Sequence, residues 1–330
     1  MLVDIVEKFQ GLKVVIIGDL IADEFVFGEI ARVSREAPVM ILRYEKTETM
    51  PGGAGNAAVN VASLAGSAEL VAASGREVSA RRVLLSLRER GVKTGSVITS
   101  SEYSTPTKTR ILAGSIHSTR QQVIRIDREP NPELAVKFID KLVNSLENAL
   151  EDVDAVIVSD YNYGLIDSLI GKLAQMRASS SKAFPVVVDS RFKLRLCTGF
   201  TAATPNQSEL EELAGTRLNT LSEIVLAGER LRTDLGLEAL LLTRGGEGIV
   251  LLEADRTPLV LDAIGSKEPV DVTGAGDTVI AAFTLALAAG ANFAEAAQIA
   301  NHAGGIVVMK RGTAAVTREE LVDSIERIGG

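Results

Sequence analysis

Residues 271–278 read Asp271-Val272-Thr273-Gly274-Ala275-Gly276-Asp277-Thr278, a glycine-rich turn that carries a carboxylate and opens a long apolar run. The run from Ala275 to Ala289 predicts a buried helix, whose first turn leaves backbone N–H groups without intrahelical partners. Such a helix start is suited to bind phosphate. We expect Asp271 and Thr273 to be available for capping the helix. Asp277 is therefore a candidate functional group, although carboxylates also collect in first turns because of the helix dipole.

The composition indicates one large α/β domain. The chain has 330 residues, of which 46% are hydrophobic, and it contains no Trp. A net charge of −8 disfavours a nucleic-acid partner. The lone Cys197 excludes an internal disulfide and fits a reducing compartment. Apolar runs such as 279–289 are shorter than the roughly 20 residues that span a bilayer, and residues 1–10 carry charges unlike a signal peptide. We therefore expect a cytoplasmic protein without a membrane partner.

Three apolar runs, each of them a predicted buried strand, end in a carboxylate: Asp19, Asp160 and Asp189. In an open parallel sheet, ligands bind beyond the carboxyl ends of the strands. We expect a polar rim at this edge of the sheet, where Asp19 and Asp23 would hold a polar ligand or, alternatively, cap a turn. No GxGxxG motif follows the first strand, which disfavours dinucleotide binding and a dehydrogenase.

Two strand-rich segments, at about 22–45 and 105–127, interrupt the alternation of strands and helices. We expect them to pair into one small sheet that projects from the main domain. The second segment carries Lys108, Arg110 and Arg125. Charges on such a sheet are commonly only solvated; a lid that contacts an anionic ligand is the sharper interpretation.

Three further motifs have both a structural and a functional interpretation. The glycines of Pro51-Gly52-Gly53-Ala54-Gly55-Asn56 allow close approach of a ligand to the backbone before a predicted helix. Asn206 and Glu209 have the spacing of a capping box, which the residues alone favour over a functional pair. The strand–turn–strand pattern at 240–250 fits a plain hairpin as well as a turn that approaches a nucleotide.

Together these segments resemble the ribokinase-like (PfkB) family of carbohydrate kinases over about residues 12–321. Residues 271–277 resemble the family's C-terminal signature and residues 52–56 its N-terminal one. The resemblance implies a doubly wound, mostly parallel sheet flanked by helices, with a small β-sheet lid, in one kinase domain spanning residues 1–330. It implies a phosphotransferase that transfers phosphate from ATP to an alcohol group of a sugar, with Mg²⁺ and K⁺ as cofactors. It also implies a homodimer through the lid, for which an exposed strand edge gives a physical reason.

By similarity to the family, Asp277 is the general base, and the N–H groups of Gly274, Ala275 and Gly276 stabilise charge on the transferred group. The sugar-binding positions are Asp19, Asp23, Gly52, Gly53 and Asn56. The nucleotide-binding positions are Asn206, Glu209, Thr243, Gly245, Gly248 and Asn301.

The resemblance also assigns the cations. Asn206 and Glu209 match an NxxE motif that positions Mg²⁺ and phosphate through water, which reverses the preference for a capping box. Carbonyl groups near Asp271 and Thr273 resemble the monovalent-cation site.

Within the family, several segments resemble the subgroup that phosphorylates D-glycero-β-D-manno-heptose 7-phosphate at O1. These segments are Gly18-Asp19, Ser34-Arg35-Glu36-Ala37-Pro38-Val39, residues 51–56, Thr107-Lys108-Thr109-Arg110, Gln121-Gln122-Val123-Ile124-Arg125-Ile126-Asp127 and Lys310-Arg311-Gly312-Thr313. The resemblance implies that Lys108, Arg110 and Arg125 bind the sugar phosphate. Asp189-Ser190-Arg191 departs from this subgroup, in which Pro and Gly follow the aspartate. The alternatives are a kinase for an unphosphorylated sugar such as ribose or fructose, and a non-catalytic sugar-binding regulator.

Overall fold

The computed structural model describes residues 2–114, 120–131, 137–265, 269–310 and 312–328. Its strands are β1 (Lys13–Gly18), β2 (Leu20–Val33), β3 (Met40–Gly53), β4 (Ser67–Ser74), β5 (Val97–Thr99), β6 (Thr107–Gly114), β7 (Gln121–Arg128), β8 (Ala155–Asp160), β9 (Val186–Ser190), β10 (Ala202–Ala203), β11 (Ala239–Thr243), β12 (Ile249–Glu253) and β13 (Leu259–Leu261). Its helices are α1 (Leu2–Glu7), α2 (Ala54–Ser63), α3 (Val78–Glu89), α4 (Ile139–Ala149), α5 (Leu165–Ser179), α6 (Gln207–Ala214), α7 (Leu221–Leu235), α8 (Ala275–Ala288), α9 (Phe293–Val307) and α10 (Arg318–Ile328).

The central sheet has nine strands in the order β13-β12-β11-β10-β9-β8-β1-β4-β5. All pairings from β11 to β5 are parallel, whereas β12 and β13 continue the sheet antiparallel. Parallel strands that are buried on both faces are continuously apolar, which is why the short Val-, Ile- and Leu-rich runs identify them in the sequence.

Helices cover both faces of the central sheet. Side chains alternate along β1, so that Val14 and Ile16 pack with α1, α2, α3, α8, α9 and α10. Val15 and Ile17 face the opposite way and pack with α4, α5, α6 and α7. The predicted α/β architecture with a mostly parallel sheet is confirmed. None of the described helices is both long and apolar enough to cross a membrane.

A second sheet, here called the small sheet, has the strand order β3-β2-β6-β7. The predicted small sheet is therefore confirmed, and its strands reach beyond the predicted bounds of 22–45 and 105–127. β2 begins directly after Asp19 and β3 leads directly into α2. The small sheet is thus rooted at the carboxyl end of β1, where ligands bind in folds of this kind.

Two expected element boundaries differ from the structure. Glycines before a helix are typical of a loop, yet Gly52 and Gly53 belong to strand β3, because they pair with Ile21 and Leu20 of β2. The sequence of residues 132–150 predicts a helix, which is seen as α4 from Ile139 onward; residues 132–136 lie outside the described part of the chain.

Candidate active site

The three strand-end aspartates lie on neighbouring strands. β1 pairs with β8 and β8 pairs with β9, all in parallel register, with Gly18 opposite Ser159 and Ser159 opposite Asp189. Asp19, Asp160 and Asp189 therefore share one edge of the sheet, as the strand pattern predicts. Asp160 is used within the protein, because its carboxylate accepts hydrogen bonds from the Ser190 hydroxyl at 2.6 Å and from a backbone N–H.

Asp19 is a buried carboxylate with one oxygen left over. Its Oδ2 accepts the backbone N–H groups of Tyr161, at 2.9 Å, and Tyr163, at 3.3 Å. Its Oδ1 is buried and has no hydrogen-bond partner within the described residues. Burial, with a smaller contribution from the charge of Asp160, raises the pKa of Asp19 to about 7. A buried polar atom without a partner calls for a ligand atom or water, and a sugar hydroxyl fits it.

Asp277 lies in the first turn of α8, as predicted, and it is only 5% exposed. The Asn56 side-chain amide donates to Asp277 Oδ2 at 2.7 Å, and the Tyr161 hydroxyl donates to Oδ1 at 3.4 Å. Burial raises the pKa of Asp277 to about 7, and the negative charge of Asp23 acts in the same direction. A carboxyl group with such a pKa is suited to take up a proton at neutral pH.

The glycine turn leaves the start of α8 open. Gly274 adopts a left-handed conformation with φ of 78°, and no side chain caps the helix. A Cβ atom at Gly274 would lie 2.5 Å from the Asn56 amide nitrogen, so glycine is needed for this close approach. The Ala275 N–H donates to the Val272 carbonyl at 3.2 Å and is thus partly engaged, in contrast to the expectation that it is free for an anion.

The expectation that Asp271 and Thr273 cap α8 is wrong. The Asp271 carboxylate instead accepts the N–H groups of Thr273 and Gly312, both at 2.9 Å. Burial alone would raise the pKa of Asp271, but these hydrogen bonds outweigh it and lower the pKa. Asp271 thus ties the turn to the 310–313 segment, of which Arg311 lies outside the described residues.

The register of the small sheet brings the predicted substrate-binding residues onto one face. Asp23 pairs with Lys108 across β2 and β6, and Lys108 pairs with Asp127 across β6 and β7. Arg110 and Arg125 are likewise directly opposite each other. Since opposite residues on neighbouring strands share a face, all three cations lie on the face of Asp23.

These three cations differ in their partners. Arg110 is paired with the buried Asp23 at 2.5 Å, and the exposed Arg125 is paired with Asp127 on its own strand. Lys108 donates to the Tyr163 hydroxyl at 3.1 Å but makes no ion pair within the described residues. Burial lowers the pKa of Lys108. Its ammonium group is therefore the cation of this face that would gain most from an anionic ligand.

Glycines shape the acceptor side as well. A Cβ atom at Gly52 would lie 2.3 Å from a carboxylate oxygen of Asp23, and one at Gly53 would lie 2.5 Å from the Asp19 carbonyl. Because Asn56 follows directly in α2, this strand end holds Asp23, Asp19 and Asn56 close together.

Four of the six predicted nucleotide-binding residues line one cavity. Thr243, Gly245, Gly248 and Asn301 all border it, together with Gly276 of the α8 turn. Gly245 faces open space, whereas a Cβ atom at Gly248 would lie 2.0 Å from the Leu261 carbonyl. Gly248 is therefore required by its close packing against Leu261 of β13. The Asn301 side-chain amide donates to the Asp262 carbonyl at 2.8 Å. The same cavity also borders Ala275 and Gly276, the residues directly before Asp277.

Asn206 and Glu209 do form a capping box at the start of α6. The Glu209 N–H donates to Asn206 Oδ1 and the Asn206 N–H donates to a Glu209 carboxylate oxygen, both at 2.9 Å. The capping box, which the residues alone favour and the family resemblance sets aside, is thus present in the structure. Burial nevertheless raises the pKa of Glu209.

Asp189 adds a second acidic group beside Glu209. Burial, with the nearby charges of Glu209 and Asp277, raises the pKa of Asp189 well above its usual value. A cation would relieve this repulsion, so the carboxylates fit hydrated Mg²⁺. Within the described ranges, no three acidic, histidine or cysteine side chains are arranged as direct metal ligands.

Sequence reasoning missed two residues at this site, Tyr161 and Arg191. The Arg191 guanidinium lies over the Tyr161 ring, 5.6 Å from its centre, and makes no ion pair among the described residues. Its charge acts to lower the pKa values of Asp189, Asp277 and Glu209. Their positions in the sequence could have indicated them, because Tyr161 follows the strand-end Asp160 and Arg191 follows the strand-end Asp189-Ser190.

The sequence matches the model of the pfkB family of carbohydrate kinases over residues 12–320. It is 37% identical over 317 residues to the D-beta-D-heptose 7-phosphate kinase of Bordetella bronchiseptica, with 96% of each chain covered. It is 38% identical over 323 residues to the bifunctional protein HldE of Shewanella piezotolerans, covering 98% of this chain but only 65% of that relative's length.

The fold is similar to solved structures of sugar kinases. The ribokinase of Arabidopsis thaliana, solved in complex with ribose and ATP, superposes with a TM-score of 0.72 at 18% identity, covering 96% of this chain and 99% of the other. At this identity the similarity shows the fold alone, and the ribokinase-like architecture is confirmed. The family match over nearly the whole sequence shows that the chain belongs to the pfkB family of carbohydrate kinases.

Proposed function

We propose that this kinase phosphorylates D-glycero-β-D-manno-heptose 7-phosphate at O1. The observation that carries the proposal is Lys108, a half-buried ammonium group without an ion pair among the described residues, on the face of the small sheet that also carries Asp23. An unphosphorylated sugar offers no anion to this group. The relative from Bordetella bronchiseptica, matched over 96% of its length, bears the corresponding name.

In this proposal the acceptor lies between Asp19, Asp23 and Asn56. The free Oδ1 of Asp19 accepts one sugar hydroxyl, and Asn56 is close enough to Asp277 to hold the reacting end of the sugar. Lys108 binds the 7-phosphate. Arg110 keeps Asp23 in place through its ion pair, and Arg125 contributes positive charge at the exposed edge.

The chemical step requires one base and one anion site. Asp277 accepts the proton of the O1 hydroxyl as this oxygen attacks the γ-phosphorus of ATP, and the bond from that phosphorus to ADP breaks. The N–H groups of Gly274 and Gly276 stabilise the charge on the transferred group, with the Ala275 N–H shared with the Val272 carbonyl. A pKa of about 7 lets Asp277 take the proton and release it afterwards.

The donor side holds ATP and its cations. Thr243, Gly245, Gly248 and Asn301 border the cavity for the nucleotide. Glu209, with Asn206, would hold Mg²⁺ through water, and the metal supplies positive charge for the phosphates. Carbonyl groups near Asp271 and Thr273 would hold K⁺ beside the turn, which Asp271 already ties in place.

We further infer one kinase domain over residues 1–330 in which the small sheet acts as a lid, and a cytoplasmic homodimer formed through that sheet. All residues of β7 are exposed, and β7 is an edge strand with Val123, Ile124 and Ile126 among them. An exposed apolar edge strand favours pairing with a second copy.

The proposal is tested by measuring ADP release from ATP with Mg²⁺ and K⁺ against a panel of sugars. The panel contains heptose 7-phosphate, other sugar phosphates, ribose and fructose. We expect turnover on heptose 7-phosphate. Turnover confined to free sugars would refute the role of Lys108 and leave a kinase, whereas no turnover on any sugar would favour a sugar-binding regulator.

A further inference from the structure

The Asp277 carboxylate is held from two sides. Asn56 donates to Oδ2 at 2.7 Å from helix α2, and Tyr161 donates to Oδ1 at 3.4 Å from the segment that follows β8. The second bond is long, as catalytic hydrogen bonds often are before substrate binds. One donor on each oxygen limits rotation of the carboxylate about its own axis, which a single donor would allow.

Tyr161 is itself anchored at two other points. Its backbone N–H donates to Asp19 Oδ2 at 2.9 Å, and its ring lies under the Arg191 guanidinium. The same residue thus joins the acceptor-side carboxylate of Asp19 to the carboxylate of Asp277. A shift of the segment after β8 would move both groups together.

The Tyr161 hydroxyl donates its proton to the Asp277 carboxylate. Burial raises its pKa well above the usual value, and the charges of Asp277, Asp189 and Asp23 act in the same direction, against the weaker opposing charge of Arg191. It therefore stays protonated around neutral pH. It cannot replace Asp277 as the base.

We propose that Tyr161 is a positioning residue for the phosphoryl-transfer step, which fixes the orientation of the Asp277 carboxylate and favours its ionised form. The groups that face Asp277 are Asp23 on β2, Tyr161 after β8, and Asp189 and Arg191 at the end of β9. Among these groups, Tyr161 is the one that hydrogen-bonds to it. This inference rests on the proposed role of Asp277 as the base.

The test is Tyr161→Phe, which keeps the ring under Arg191 and removes only the hydroxyl. Titration of Asp277 is followed by NMR of protein labelled with ¹³C at the aspartate side-chain carboxyl carbons, and its signal is assigned by its loss in Asp277→Asn. We expect the midpoint for Asp277 to rise by about half a pH unit or more, because a hydrogen bond to the ionised form is lost. At pH 7 we expect kcat to fall roughly 10-fold with little change in either KM, since orientation is lost rather than binding.

Tyr103→Phe is the matched control. Tyr103 is buried, and its hydroxyl makes no hydrogen bond with Asp277, so the Asp277 titration should stay as in the unmodified protein. Incorporation of 3-fluorotyrosine at position 161 makes the hydroxyl a stronger donor and should move the Asp277 midpoint down, which tests the idea without deleting the group. An Asp277 midpoint that responds to neither change at position 161 would overturn the inference. Because the NMR readout needs no substrate, failure of the sugar panel would not be confused with failure of this inference.

Discussion

Lys108 differs from the neighbouring cations of this site in its lack of an ion-pair partner among the described residues, not in its charge. Lys108, Arg110 and Arg125 share one face of the small sheet, but Arg110 and Arg125 already pair with Asp23 and Asp127. Among the residues that the structure describes, Lys108 contacts only the Tyr163 hydroxyl and the face of its ring, whose centre lies 5.6 Å from the ammonium nitrogen. A cation that has lost solvent without gaining a counter-ion is poised for an anionic ligand.

We predict that Lys108→Met raises KM for the sugar phosphate by about 30-fold or more, because a charge-assisted contact is worth roughly 2 kcal/mol or more. The KM for ATP should change little. Lys46→Met is the control, since Lys46 lies on β3 of the same sheet, where it pairs with Glu48 and lies over Phe27. Steady-state kinetics of both variants decide the matter; equal effects of the two changes would remove Lys108 from the phosphate site.

The first turn of helix α8 has no side-chain cap, and it follows Gly274 in a left-handed conformation. Gly274 has φ of 78°, and a Cβ there would meet the Asn56 amide at 2.5 Å. At the other end of the same helix, Gly290 also has a positive φ, of 91°, but a Cβ there would meet nothing within 4 Å. A comparison of alanine substitutions at these two glycines therefore separates the effect of backbone strain from the effect of displacing Asn56.

Gly274→Ala and Gly290→Ala should each lower the free energy of unfolding by about 1 kcal/mol, because alanine is strained in the left-handed region. Only Gly274→Ala should also lower kcat, by about 10-fold or more, since it pushes Asn56 away from Asp277. Denaturant unfolding and initial rates measure the two effects. If Gly274→Ala retains the kcat of Gly290→Ala, the turn does not control the base.

The contact between α9 and α10 has a pH-dependent component. His302 is buried, and its Nδ1 lies 2.9 Å from the Ser324 hydroxyl. Burial lowers the pKa of His302 below its ordinary value of 6.5. The unfolded chain therefore takes up this proton at a higher pH than the folded protein does, so the stability that neutral His302 provides is lost as the pH falls below about 6.5.

We predict that His302→Gln lessens the loss of unfolding free energy between neutral and mildly acidic pH. Other groups, among them Asp154 and Glu320 with lowered pKa values, also lose stabilising interactions in acid, so the comparison is made between variant and unmodified protein. Urea unfolding at several pH values provides the measurement. Parallel pH profiles for the two proteins would contradict the assignment.

The elements that the sequence predicted well are those whose signal is local. Apolar runs ending in Asp19, Asp160 and Asp189 and the glycine turn before Asp277 each form from neighbouring residues. The cap expected from Asp271 was wrong because its partner, Gly312, lies 41 positions away. Tyr161 was missed for the same reason, since it meets Asp277 across 116 positions and belongs to no motif.

For the whole molecule, we propose that the small sheet both lines the acceptor site and forms the dimer interface. Its site face carries Asp23 and Lys108, whereas Ile124, which pairs with Ile111 one position out of phase, lies on the opposite face and is 52% exposed. Substitutions at Ile124 can thus test assembly without touching the site.

We predict a homodimer that Ile124→Lys converts to monomers, because a buried charge without a partner disrupts an apolar interface. Leu226→Lys is the control: Leu226 is 75% exposed on α7, far along the chain from the small sheet. Light scattering coupled to size-exclusion chromatography gives the mass of each variant. A monomeric unmodified protein, or a dimer that survives Ile124→Lys, would rule out assembly through this strand.

Phosphorus NMR of the reaction products shows whether Asp277 activates O1 of a sugar phosphate. With ATP and D-glycero-β-D-manno-heptose 7-phosphate, we predict a second phosphate signal coupled to the anomeric proton. Asp277→Asn should bind ATP and slow the appearance of that signal by about 100-fold or more, since general-base catalysis is lost. A new phosphate on any other hydroxyl, or an Asp277→Asn variant as fast as the unmodified enzyme, would contradict the account.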